Sequence, residues 1–218
     1  MTTITHHLDE ATILAFAAGT LPEAHGFVAA THAAYCNHCR EALRAAESLG
    51  GSLMMEEAGS AVTDGCRAAT LASLDAIAAS VRPVAPPNQT GVPAVLCNLL
   101  GNTPLSDLHW KKKAPGVATF EVPLSKGGNT HLQLLRIGSG RAMPEHGHGG
   151  EELTLILRGS YKDHTGRYMV GDVADLDEDT EHQPVVDSDE DCICLVATEA
   201  PTKFKSIWAR LAQPFIGI

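Results

Sequence analysis

Residues 140–159 read GRAMPEHGHGGEELTLILRG, and this stretch decides the fold of the second half of the chain. His146 and His148 are two residues apart, and alternate residues of a strand share one face, so both imidazoles point to the same side. A Gly149-Gly150 turn follows, and Glu152 then starts a run of strand-forming residues. The stretch therefore predicts β-structure whose interior carries two imidazoles and one carboxylate.

Neighbouring segments extend this pattern into a larger β domain. Three more strand-like segments lie between glycine-rich turns, at residues 117–124, 131–137 and 192–197. Many short strands at regular spacing favour an antiparallel sandwich or barrel.

The spacing of the glycines and ligand-type residues is similar to the first sequence motif of the cupins, which are antiparallel jelly-roll barrels. Gly171-Asp172 opens a second such motif, and His182 lies where that motif supplies its histidine, although residues 175–182 lack the usual Pro-x-Gly turn. We expect His146, His148, Glu152 and His182 to hold Zn²⁺, or another divalent metal such as iron, manganese or nickel. A cupin that keeps the fold without a metal is the alternative.

The first part of the chain has a helical pattern instead. Apolar residues recur at helical spacing, Gly19 ends a first helix, Pro22 starts a second, Gly50-Gly51 breaks a third, and a fourth fits residues 66–81. Four prolines in residues 83–95 indicate a linker. We therefore predict an α + β protein of two domains, a small helical bundle at 1–82 and a β-barrel at 96–218.

A second group of ligand-type residues lies in the helical part. The spacing His32-x3-Cys36-x2-Cys39 puts His32 and Cys36 on one helix face and Cys39 at the next bend. Two thiolates and an imidazole are three of the four ligands of a tetrahedral zinc site. The candidates for the fourth ligand are His6, His7, His25 and His38. His7 lies on a short tail that could close the site. Two buried cysteines beside a surface histidine are the alternative.

Composition excludes several functional classes. The 218 residues carry a net charge of −10, which argues against direct binding of nucleic acid and permits a basic protein partner. The sequence contains neither a secretory signal nor a membrane-spanning run, so we expect a cytoplasmic protein with reduced cysteines. Cys192 and Cys194 share a strand face and are either packed or a redox pair. The three lysines at 111–113 indicate a solvated turn.

The order of the two motifs, a helical His-x3-Cys-x2-Cys site and then a cupin, resembles the ChrR family of zinc-binding anti-sigma factors. His6-His7, the run AAGTL at 17–21 and Gly50-Gly51-Ser52-Leu53-Met54 fit the same family. The resemblance implies that His7, rather than His6, is the fourth zinc ligand. It also implies that the helical domain holds an extracytoplasmic-function (ECF) sigma factor away from core RNA polymerase. The cupin would serve the response to singlet oxygen or related oxidants, and the protein would not be an enzyme.

A cupin enzyme is the other hypothesis, for instance a metal-dependent dioxygenase or isomerase with an N-terminal zinc module. The four ligand-type residues of the barrel support it. Against it, no general acid or base is placed beside the metal by a recognisable motif. Turnover of a diketone or flavonoid by the iron-loaded protein would distinguish the two.

Overall fold

The helices precede the strands along the chain. The computed structural model describes residues 3–78, 91–125, 130–200 and 203–204, so most of the predicted linker, residues 83–90, lies outside the described residues. The division of the chain at that linker stays a prediction. The described helices are α1 (Glu10–Ala17), α2 (Glu23–Tyr35), α3 (Asn37–Glu56), α4 (Cys66–Ala78) and α5 (Ala94–Leu99), with a short 3-10 helix at Leu105–Asp107.

Local sequence explains most of the helix ends. Gly19 adopts φ +70 just after α1, and Pro22 is the residue before α2, as the sequence predicts. The predicted break at Gly50-Gly51 is wrong, because α3 continues through both glycines to Glu56. Glycine costs about 1 kcal/mol relative to alanine inside a helix, and strong helix formers before and after this pair outweigh that cost.

The strands form one large and two small antiparallel sheets. The large sheet has the order β1-β2-β3-β11-β5-β8, and the small sheets have the orders β10-β6-β7 and β12-β4-β9. The strands are β1 (Lys111–Ala114), β2 (Val117–Glu121), β3 (His131–Ile137), β4 (His146–Gly147), β5 (Glu152–Arg158), β6 (Ser160–Lys162), β7 (Arg167–Met169), β8 (Val173–Leu176), β9 (Glu181–His182), β10 (Val185–Val186), β11 (Cys192–Thr198) and β12 (Lys203–Phe204). All four predicted strands are present. The turn predicted at the three lysines is wrong, since they form edge strand β1, where lysine discourages further pairing.

Strands β5 and β11 at the centre of the large sheet are buried on both faces. One face packs in the interior of the barrel against Tyr161 of β6 and Tyr168 of β7, and it contributes Ile156, Cys194 and Val196. The alternate residues of the same strands pack on the helices in a second cluster that includes Leu153, Leu155, Leu157, Ile193 and Leu195. Burial of both faces explains why β11 is apolar at every position but the last rather than alternating.

Helix α2 joins the helical part to the barrel. It packs against β3, β5 and β11, and its Ala24, Val28 and Ala29 are fully buried. The His25 Nε2 lies 3.2 Å from the Glu151 carbonyl oxygen. Helix α5 contributes Leu96 and Cys97 to the same cluster. The helices and the outer face of the sheet therefore share one apolar core.

Among the described residues, the far half of α3 and the side chains of α4 up to Leu74 lack such a partner. Of the α3 side chains only Cys39 and Leu43 are buried, whereas large apolar side chains beyond them are 49–86% exposed: Leu49, Leu53, Met54, Met55, Val62, Leu71 and Leu74. Four of these side chains lie within seven residues of α3, and exposed apolar side chains grouped in this way are typical of a surface that binds another protein. Within the described residues, no helix combines the length and the apolarity that crossing a membrane requires.

Candidate metal centres

The first centre lies where the N-terminal tail meets α2 and α3. His7, His32, Cys36 and Cys39 bring one ligand atom each to within 4.8 Å of the others. The His7 Nδ1 is 3.3 Å from the Cys36 Sγ, and the His32 Nε2 is 3.2 Å from the Cys39 Sγ. Cys36 is the residue before α3, so its sulfur also accepts a hydrogen bond from the Cys39 backbone N–H.

The protonation state of His32 in this centre is the one that metal binding requires. The His32 Nδ1 donates to the Gly171 carbonyl oxygen at 2.8 Å, which leaves the Nε2 lone pair directed at the centre. Burial lowers the pKa of His32 to about 4, so the imidazole is neutral. Burial also raises the pKa of the Cys39 thiol to about 11. A thiol of that pKa becomes a thiolate at neutral pH only beside a cation, and the four side chains are the donor set that zinc prefers.

The other histidines near the tail make different contacts. The His6 ring stacks on Tyr168 at 4.1 Å between centroids, and His25 contacts the backbone of the barrel. The exposed His38 lies beside His7, with 4.5 Å between ring centroids. Of the four histidines considered from the sequence, the structure places only His7 with the cysteines.

The second centre lies inside the barrel. His146, His148 and His182 are buried, and their ligand atoms all lie within 4.8 Å of one another. Strands β4 and β9 pair His146 directly with His182. The structure thus brings His182 to the motif histidines even though its own loop departs from the common pattern.

Hydrogen bonds fix the tautomers of this triad. The His146 Nδ1 donates to the Pro144 carbonyl oxygen at 2.7 Å, and the His182 Nδ1 donates to the Asp163 carboxylate at 2.8 Å. The two Nε2 atoms then face each other as lone pairs at 3.1 Å. The buried Nε2 of His148 has no hydrogen-bond partner among the described residues. Converging lone pairs and an unsatisfied buried nitrogen fit a bound cation.

Glu152 contacts His148 but is not one of the three side chains whose ligand atoms converge. Its carboxylate is 3.1 Å from the His148 Nδ1 and accepts a hydrogen bond from the Thr154 hydroxyl at 2.9 Å. Burial alone would raise the pKa of Glu152, but the hydrogen bond from His148 and the nearby imidazoles outweigh it and hold the pKa at about 2. Glu152 is therefore ionised, and its role as a ligand stays a prediction. Glu151 is exposed, as the alternation predicts.

The chain matches known proteins over nearly all of its length. The family model described as the ChrR cupin-like domain matches residues 102–201. The anti-sigma-E factor ChrR of Cereibacter sphaeroides is 41% identical over 218 residues, which cover 99% of this chain and 100% of the relative. The chain belongs to the ChrR family.

Solved structures agree with this assignment. The crystal structure of Rhodobacter sphaeroides SigE in complex with the anti-sigma ChrR matches with a TM-score of 0.78 and 42% identity, over 90% of this chain and 100% of that chain. A cupin from Ralstonia eutropha matches at 19% identity with a TM-score of 0.42, over 52% of this chain and 82% of its own. The likeness to the SigE–ChrR structure and the match to the family model confirm the expected helical N-terminal region followed by a cupin barrel for this member of the ChrR family.

Sequence reasoning missed Asp163, the carboxylate that orients His182 in this ChrR-family barrel. The Asp163 side chain is 1% exposed. Burial would raise its pKa, but the hydrogen bonds from His182 and Thr165 hold the pKa at about 2. The sequence signal was an Asp-x-Thr-Gly turn, in which Asp163 also accepts bonds from the Thr165 and Gly166 backbone. That signal predicts a turn but not that the turn meets His182, 19 residues later.

Proposed function

We propose that this chain is a zinc-dependent anti-sigma factor that binds an ECF sigma factor and releases it in response to an oxidant. The observation that carries the proposal is the full-length likeness to ChrR, including a relative solved in complex with SigE. The His7, His32, Cys36 and Cys39 group also supports it, because these four side chains lie close enough together to hold one zinc ion, as the resemblance implies.

Zinc is the metal we assign to the helical domain. Two thiolates with two imidazoles make a closed tetrahedral set, and closed sets of this kind are structural rather than catalytic. Bound zinc would supply a cross-link between the N-terminal tail and the α2–α3 hairpin. His7 and His32 provide neutral imidazoles for it, and Cys36 and Cys39 bring the N-terminal end of α3 to the same point.

The exposed apolar side of α3 and α4 is the surface we assign to the sigma factor. Leu49, Leu53, Met54 and Met55 project from α3 with 57–86% of their surface exposed. Unbranched methionines adapt to an irregular partner surface, and leucines supply apolar area. Occupation of this surface would account for a steric mechanism, in which the sigma factor cannot bind polymerase while it binds the helices.

The barrel is assigned a sensing role. Its three histidines, with Glu152 beside them, can hold zinc, iron, manganese or nickel. Cys192 and Cys194 are poorer candidates for the sensor, because both are buried and their sulfurs contact each other at 3.6 Å. Contact with Cys192 and burial raise the pKa of Cys194 well above its ordinary value, which disfavours the reactive thiolate.

Copurification tests the proposal. The full chain is coexpressed with an ECF sigma factor from the same genome, and the recovered complex is analysed for metal. We expect His32→Ala and Cys36→Ala to lose the sigma factor, whereas His148→Ala, which alters only the barrel, keeps it but no longer releases it on exposure to singlet oxygen.

Two results would count against the proposal. One is a folded, metal-loaded chain that recovers no sigma factor from its own genome. The other is oxygen consumption by the iron-loaded barrel with a diketone substrate, which would support the cupin-enzyme hypothesis instead.

A further inference from the structure

The N-terminal tail lies across one turn of the barrel. The Asp172 carboxylate, 1% exposed, accepts backbone hydrogen bonds from Thr5 at 2.7 Å and His6 at 3.0 Å through one oxygen. Its other oxygen accepts the Met169 N–H at 2.8 Å, within the turn itself. A buried carboxylate with three backbone donors fixes its partners firmly, because charge-assisted hydrogen bonds are about twice as strong as neutral ones.

Further contacts hold the tail on either side of Asp172. The Asp9 N–H donates to the Asp175 carboxylate at 2.9 Å, just before α1 begins. Gly171 has φ +95, and a Cβ added there would lie 2.9 Å from the Ile4 side chain, so the tail approaches a position that only glycine fills without strain. The segment around His7 is therefore positioned by the barrel and not by the helices alone.

The same turn also orients the second imidazole of the N-terminal centre. The Gly171 carbonyl oxygen accepts the His32 Nδ1 hydrogen at 2.8 Å. His32 comes from α2 and His7 from the tail, yet both are positioned by adjacent residues of the barrel, Gly171 and Asp172.

We propose that the Gly171-Asp172 turn of the barrel is the outer shell of the N-terminal metal centre, and that Asp172 is a positioning residue for it. The inference rests on the metal-binding part of the proposed function, and it adds that the barrel strengthens metal binding at the helical centre. Its affinity for metal depends on the tail being docked on the barrel.

One segment of the barrel, residues 160–176, contacts both metal centres, and it is called the ribbon below. Residues 160–176 carry Asp163, which accepts from His182 of the barrel triad, and Gly171, which accepts from His32 of the helical centre. A movement of this ribbon would therefore change the orientation of one imidazole in each centre. Such a link needs no contribution from residues 83–90.

Cobalt(II) absorption can report metal binding at the N-terminal centre alone. Only that centre contains cysteines, so sulfur-to-cobalt charge-transfer absorption reports its occupancy even when the barrel also binds cobalt. The full-length Asp172→Asn variant keeps the side-chain shape and removes the charge. We expect the dissociation constant of the sulfur-ligated cobalt to rise about 10–100-fold, the usual effect of losing an outer-shell partner.

Two more variants make the result decisive. Asp187→Asn is the matched control, because this barrel carboxylate binds Arg167 and Ser160 and makes no contact with the described part of the tail, from residue 3 onwards. It should leave the cobalt affinity unchanged. Thr5→Pro removes one tail donor to Asp172 without altering the barrel, and it should weaken cobalt binding in the same way. Unchanged affinity in both Asp172→Asn and Thr5→Pro would overturn the proposal, as would an equal loss in Asp187→Asn. Because the sigma factor is absent from this assay, its outcome is independent of whether the chain binds one.

Discussion

The residue that couples chemistry to folding most directly is His32. It is fully buried, it donates to a barrel carbonyl, and burial lowers its pKa to about 4 against an ordinary value of 6.5. The folded metal-free chain therefore leaves this imidazole neutral over a pH range in which the unfolded chain protonates it. Between those two values the unfolded state binds more protons, so acid favours unfolding.

We predict that the free energy of unfolding of the metal-free chain falls as the pH drops from 6.5 towards 4. The His32 contribution to this loss is at most about 3 kcal/mol, at 1.36 kcal/mol for each pKa unit. Urea unfolding in the presence of a chelator at pH 7 and pH 4.5 measures it. His32→Gln should reduce the difference between the two pH values, whereas His38→Gln, which alters an exposed histidine, should keep it. Equal pH dependence in His32→Gln and the unsubstituted chain would contradict the prediction.

At the scale of elements, the two ends of the helical region have opposite environments. Helix α2 is buried between the sheet and α3, whereas α4 and the far half of α3 expose apolar side chains. Leu155 of β5 is 0% exposed beneath the helices, and Leu53 of α3 is 57% exposed. The same substitution at these two positions should therefore have different consequences.

We predict that Leu155→Ala lowers the free energy of unfolding by about 2–5 kcal/mol, because it removes packed atoms and leaves a cavity. Leu53→Ala should change stability by no more than about 0.5 kcal/mol, since it alters exposed surface. It should instead weaken binding of the sigma factor, in keeping with its place on the proposed docking surface. Chemical denaturation measures the predicted changes in stability, and a binding titration measures the predicted loss of affinity for the sigma factor. A large loss of stability in Leu53→Ala would show instead that α3 has an intramolecular partner.

Elements were predictable where local pattern decides them. Strand β3 has the predicted bounds, and β11 extends one residue past its prediction. The predicted helix break at Gly50-Gly51 was wrong because whether a helix continues depends on the residues before and after the glycines. The predicted turn at the three lysines was wrong because pairing with β2, which the local sequence does not indicate, makes them a strand. The spacing of ligand types likewise indicated residues that lie close together in the structure, although their binding of metal stays a prediction. The contacts of Asp163 and Asp172 could not be predicted, because they join residues that are distant in sequence. The Asp-x-Thr-Gly turn and the Gly171-Asp172 motif do not indicate which distant residue each aspartate meets.

At the scale of the whole molecule, the helices and the barrel share a core. One apolar cluster contains Leu8, Val28 and Leu43 of the helical part together with Leu134 and Leu195 of the sheet. A division of the chain by sequence pattern alone would give two folding units. The shared cluster favours one, because separating the parts would expose apolar surface on both.

We predict a single cooperative unfolding transition for the metal-free chain in calorimetry. Its calorimetric enthalpy should equal the enthalpy obtained from the temperature dependence of the equilibrium. Two resolved transitions, one of them retained by a barrel variant such as Leu155→Ala, would show that the helices unfold independently of the sheet.

The docking of the tail on Asp172 has a consequence for how the protein is made. Cys39 leaves the ribosome 133 residues ahead of Asp172. At about 5–20 residues per second, roughly 7–27 s of translation separate the two. During that interval the nascent helices carry both cysteines without the barrel turn that positions His7 and His32. An oxidant present during synthesis would therefore meet thiols that the finished protein holds in a completed centre, and newly made chains would be its most vulnerable targets.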